Sequence, residues 1–157
     1  MAASDYYFET RWRMRASLEE VCALLQDGGS LCEWWPDVYL SVREIEPGVF
    51  TLHTRGWLPY TLYWNFKMVE TNLPYGFTIQ AWGDLEGTGV WTFTPDGEWT
   101  NILYQWTVHA HKPLLRYFSF LLKPLFQTNH RWAMARGEES MARELIRRRG
   151  LAPVTSS

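Results

Sequence analysis

His109 and His111 are the residues of this 157-residue chain whose spacing most directly suggests chemistry. Two histidines at i and i+2 on a strand share a face, and with a third ligand from elsewhere they can hold a metal ion. No Cys, Asp or Glu accompanies them at a recognisable interval, and they alternate with Val108 and Ala110, which places them on the solvent side. The expectation is therefore no metal site and no cofactor. A nucleophile is equally hard to find. The chain has no strand-to-helix serine elbow, and neither Cys22 nor Cys32 sits in a motif that would activate its thiol. Gly87-Thr88-Gly89 opens a strand, not a helix, so it lacks the helix N-terminus that binds phosphate; it suits a bend or a close backbone approach.

His130 is the one group that could work near neutral pH from an apolar setting. Its neighbours one helical turn away are Phe126, Ala133 and Met134. Pointing inward, it would be neutral, with one donor and one acceptor to orient a carbonyl or hydroxyl or to move a proton. The alternative is a histidine that bonds a strand backbone group and locks helix to sheet.

The unusual composition is aromatic: 17% of residues, with ten Trp. Large rings carry apolar area on few rotatable bonds, so they either fill a core or line a rigid pocket. Trp12, Trp64, Phe66, Trp91, Tyr104 and Trp106 recur at alternate positions of strand-like runs. Asn129 and Ala133 follow the apolar stripe of a helix, with His130 at its margin.

The elements that must position these residues are legible. Residues 6 to 16 alternate, with Phe8, Trp12, Met14 and Ala16 against Glu9, Arg11, Arg13 and Arg15, which predicts a half-buried strand. Ser17-Leu18-Glu19-Glu20 is a capping box for a helix ending at Asp27-Gly28-Gly29, and Ser30 is expected to cap a short turn stopped by Pro36. Between Val38 and His111, turn signals at Glu46-Pro47-Gly48, Leu58-Pro59, Leu73-Pro74-Tyr75-Gly76, Gly83 to Gly89 and Pro95-Asp96-Gly97 cut out six strands. Connections that short make an antiparallel meander. A helical stripe from Leu114 to Leu145 closes the chain, and Pro124 predicts its division into helices over 114–122 and 124–148.

A net charge of −2 leaves no basic footprint for nucleic acid, and no apolar run is long enough for a membrane span. Two cysteines without CxxC spacing, and no signal layout at the start of the chain, point to the cytoplasm. Oligomeric state is not legible.

Specific stretches resemble a known family. They are Gly87-Thr88-Gly89-Val90-Trp91-Thr92-Phe93, then Thr100 to Val108, then Asn129-His130-Arg131-Trp132-Ala133-Met134-Ala135-Arg136-Gly137-Glu138. With the order of elements, they are similar to the START-like (SRPBCC) superfamily of polyketide cyclase/dehydrase, lipid-transport and birch-pollen-allergen-like proteins. The resemblance implies an α+β helix-grip domain over residues 5–149, with 150–157 as a short flexible tail. It implies a seven-stranded curved antiparallel sheet around a long C-terminal helix, with two short helices after the first strand. A cavity for a small hydrophobic molecule should lie between sheet and helix, with Trp34-Trp35-Pro36 bordering its mouth. The candidate ligand-binding residues are Trp12, Trp34, Trp64, Phe66, Trp91, Tyr104, Trp106, Asn129, His130 and Ala133. The resemblance supplies no catalytic residue. An aromatase/cyclase-type enzyme and a chaperone-like module presenting the apolar 114–126 segment are the alternatives to a ligand binder.

Overall fold

The computed structural model describes residues 5–56, 60–110 and 113–151, of which 5, 110, 113–123, 126 and 151 by their backbone alone. The order is β1 (Asp5–Met14), α1 (Leu18–Gln26), a 3-10 turn (Gly28–Ser30), α2 (Leu31–Trp34), β2 (Tyr39–Glu46), β3 (Val49–Arg55), β4 (Thr61–Thr71), β5 (Gly76–Gly83), β6 (Leu85–Asp96), β7 (Trp99–Ala110) and α3 (Pro113–Leu151). The Leu58-Pro59 turn, His111 and the tail from residue 152 lie outside the described residues.

In β1 the alternation holds: Tyr6, Trp12 and Met14 are buried, while Glu9, Arg11 and Arg13 are exposed. The capping box of α1 is complete. Glu20 N–H donates to Ser17 Oγ at 3.1 Å, and Ser17 N–H donates to Glu20 Oε1 at 3.0 Å. Ser30 does not cap α2 as expected. Its own backbone is already helical (φ −88°, ψ −8°), so its hydroxyl reaches back to the Asp27 carbonyl at 2.9 Å and closes the 3-10 turn.

All seven strands join one antiparallel sheet in the order β1-β7-β6-β5-β4-β3-β2. Gly48 and Gly97, at φ +79° and +63°, make the tight turns of the β2–β3 and β6–β7 hairpins. The turn expected across Gly83 to Gly89 is much shorter. The β5–β6 hairpin closes at Asp84, and β6 runs on through Gly87 and Gly89. Those glycines thin the strand without breaking it: a Cβ at Gly87 would strike the Thr107 carbonyl, and one at Gly89 would lie 2.9 Å from the Tyr104 hydroxyl.

The inner face curls strongly. Trp64 on β4 and Trp106 on β7 are three strand spacings apart in the sheet, about 14 Å if it were flat. Their rings are 5.7 Å apart, so the strands wrap toward each other. Across the concave side lies α3, with Met134, Met141 and Leu145 buried. Two contacts seat it. Trp35 Nε1 donates to the Ala133 carbonyl at 3.2 Å, and Gly137 leaves the indole of Trp35 the space a Cβ would take. At its far end Arg149 Nε donates to Glu20 Oε2 at 2.8 Å.

The predicted split at Pro124 does not occur: α3 is one helix with Pro124 inside it. A proline forfeits one backbone hydrogen bond and crowds the carbonyl four residues earlier. That loss is local, and helix formers on both sides propagate through it. No helix among the described residues is long and apolar enough to cross a membrane.

Candidate functional site

A cavity of about 140 Å³ lies between the concave face of the sheet and α3, open on one side. Trp64, Trp91, Tyr104 and Trp106 form its sheet wall, and Asn129, His130 and Ala133 line it from α3. The strand period places them: Tyr104 and Trp106 alternate along β7, and Trp91 on β6 faces Tyr104 across the ladder. Tyr104 stacks on Trp91 with centroids 4.0 Å apart, while Trp64 is fixed by its Nε1 donating to Thr54 Oγ1 at 2.9 Å.

Three of the ten candidates stand outside the cavity wall. Trp12 lies behind it, wedged between Trp35 and Trp91 at 5.6 and 5.7 Å. Phe66 stacks on Phe50 at 5.2 Å, beneath Gly28. Trp35, just past the end of α2, lines the cavity, while Trp34, also buried, borders a polar hollow with Ser140, Arg143 and Glu144 of α3. Trp35, expected at the border of the mouth, lines the wall, and the reading of the sequence missed Tyr6, Tyr39, Thr54 and Tyr60 there. For Tyr6 the signal existed, since it extends the alternation of Phe8 and Trp12. For Tyr39 and Tyr60, residues at or beside strand starts, no periodicity marks a face.

His130 is half-buried on the wall and stacks face to face on Phe8, centroids 4.0 Å apart and planes within 18°. Burial pushes its imidazole down to about 4, so it is neutral over the physiological range. Among the described residues it has no hydrogen-bond partner, and the expected bond to a strand carbonyl or amide is not made; ring stacking holds it. Next to it, Asn129 donates to the Tyr60 hydroxyl at 3.4 Å and lies over Gly56, where a side chain would collide with it. Burial, reinforced by Tyr6, raises the Tyr60 phenol to about 12. Burial also raises Tyr39 and Tyr104. These phenols are all protonated at neutral pH. Arg55 contributes to the rim, but alternation from Thr54 turns its side chain outward, where Nε donates to the Asp37 carbonyl at 3.2 Å.

Inside the Arg55 rim the described wall is thus aromatic and uncharged, with hydroxyl, amide and imidazole groups set into it. Among the described residues no three of His, Cys, Asp and Glu gather as a metal would require, and His109 sits on the strand face opposite to the cavity-lining Val108.

Comparison with solved structures places this architecture. A START superfamily protein from Mycobacterium smegmatis superposes with a TM-score of 0.73 at 10% identity, covering 90% of this chain and 97% of that one. The Zhui aromatase/cyclase from Streptomyces sp. R1128 superposes with a TM-score of 0.72 at 14% identity, covering 98% and 99%. The chain has the START-like helix-grip fold. A norcoclaurine synthase from Thalictrum flavum, a point mutant in complex with a transition-state analogue, shares it at a TM-score of 0.64 and 15% identity, covering 92% and 96%. No protein-family model and no curated protein matches the sequence. At these identities the likeness is one of START-like fold, and chemistry has to come from the site itself.

Proposed function

We propose that the chain binds a small, largely apolar molecule in the cavity between the sheet and α3. The observation that carries this reading is the cavity itself, about 140 Å³ walled by Trp64, Trp91, Tyr104 and Trp106. An engineered apolar cavity of roughly that size takes up benzene. The body that fits is therefore a ring or a short chain, with a longer ligand protruding through the open side. The polar anchors are Asn129 and His130, and Ala133 gives α3 a close approach to the ligand. The unit that performs this is the span 5–149, in a cytoplasmic protein without nucleic-acid or metal partners.

One observation favours a second reading. His130 is a neutral imidazole with no partner among the described residues, the state a general base requires. In that case the chain is an enzyme of the aromatase/cyclase type, as the Zhui neighbour is named. The first reading is preferred, because the described lining side chains include no carboxylate to share the proton work.

Native mass spectrometry of the freshly purified protein, with titration of a fluorescent apolar probe followed by quenching of Trp emission, tests the proposal. A bound small molecule or micromolar probe affinity is expected. Failure to bind any apolar probe, with Trp emission unchanged, overturns it.

A further inference from the structure

Two groups on the cavity wall remain without a role in plain apolar binding, Tyr39 and Tyr104. Both line the cavity, one from the start of β2 and the other from β7. In the strand order these two are five positions apart, and the curl of the sheet turns them onto one space. Each ring is fixed. Tyr39 meets Trp35 edge to face at 5.0 Å, and Tyr104 lies flat on Trp91 at 4.0 Å. The Tyr104 hydroxyl occupies the room left by Gly89, since a Cβ there would sit 2.9 Å from it. Neither hydroxyl has a hydrogen-bond partner among the described residues. Both stay protonated, because burial raises both phenols, and the charge of Tyr39 adds to the rise at Tyr104.

A phenol in an apolar wall is foremost a donor, and a donor removed from water without an acceptor is unfavourable. A ligand that displaces water from these two hydroxyls, and from the unpartnered His130 on the same wall, leaves them unsatisfied unless it brings its own acceptor. A charged oxygen is disfavoured, because the cation among the described lining residues, Arg55, stands at the rim with its Nε donating to the Asp37 carbonyl. A neutral carbonyl oxygen satisfies both constraints, with two lone pairs for two hydroxyls.

We propose, building on the ligand-binding reading above, that the ligand is a neutral carbonyl compound of ring size. Its oxygen is turned to the Tyr39 and Tyr104 hydroxyls, and its ring lies against Trp91 and Trp106.

The test compares acetophenone with ethylbenzene, which share a ring and a carbon count. A ketone leaves water less readily than a hydrocarbon, so a cavity without usable donors favours ethylbenzene. The parent protein is expected to bind acetophenone roughly tenfold more tightly than ethylbenzene by calorimetry. The carbonyl stretch of the bound ketone should lie at lower wavenumber than in an apolar solvent. Tyr39→Phe and Tyr104→Phe should each lower the preference several-fold and move the stretch back, and the double variant should favour ethylbenzene. The affinity for ethylbenzene reports whether each variant still holds its cavity. A parent that prefers ethylbenzene, or a preference that survives both substitutions, overturns this inference and leaves the ligand-binding reading standing. If neither compound binds the parent, both fall together.

Discussion

Lowering the pH from 7.5 to 4.5 should destabilise this protein through His130 by an amount that follows from its position. The imidazole is pressed onto Phe8 in an aromatic wall, and its pKa falls from an ordinary 6.5 to about 4. Above pH 6.5 both the folded and unfolded chains carry it neutral, and the folded state has its full relative stability. As pH falls below 6.5 the unfolded chain takes up the proton first, so stability declines until the folded imidazole also protonates near pH 4. Between pH 7.5 and 4.5 this group alone should remove about 2.5 kcal/mol. His130→Gln keeps a donor and an acceptor but does not titrate, so its stability should lack that slope. Glu20 and Glu144 are held below the ordinary carboxylate range, by Arg149 and Arg147 respectively. Their contributions are lost only toward pH 4 and below, and in parent and variant alike, so they cancel in the difference. Urea unfolding of both proteins at half-unit pH steps measures the effect, and the His130 ring proton followed by NMR gives the pKa directly. Parallel stability curves, or an imidazole titrating near 6.5, would refute the reasoning, because the ring would then be hydrated and not enclosed by the wall.

Three further outcomes are expected. Phe93→Ala removes a ring buried in solid core and should reduce stability by roughly 3–5 kcal/mol, whereas Trp106→Ala, bordering a void, should lose about 2 kcal/mol, both read from urea midpoints. Gly137→Ala would drive a methyl group into the Trp35 indole and should destabilise by roughly 2 kcal/mol, with a change in near-UV circular dichroism from the displaced indole. Pro124→Ala restores an interior helical hydrogen bond and should raise stability by up to about 3 kcal/mol; a neutral result in thermal unfolding would instead place Pro124 at a helix start.

Much of the frame was determined locally and could be read without the structure. The alternation of β1 follows from a strand with one wet face, and the capping box at Ser17 and Glu20 closes within four residues. The six-strand meander follows from short loops that cannot carry a parallel crossover. Where two local signals competed, the sequence was ambiguous. Proline favours a helix start over a helix interior, yet Pro124 sits inside α3. Gly87 and Gly89 resembled a turn because the strand β7 and the Tyr104 ring that crowd them come from residues well over ten positions later.

The makeup of the cavity wall belongs to the tertiary structure. Periodicity says which side of its own strand Trp12, Phe66 or Trp106 occupies, but all three occupy an inner side. Only the curl of the sheet decides that Trp106 meets open space, whereas Trp12 meets Trp35 and Phe66 meets Phe50. The same holds for Trp34 and Trp35, adjacent, chemically alike and both buried, one bordering a polar hollow beside Glu144 and the other seated against Gly137. Tyr39 and Tyr104 lie 65 positions apart in the chain and on distant strands of the sheet, so no spacing rule connects them. A cavity is volume left over after every element has packed, and leftover volume has no local signature in the chain.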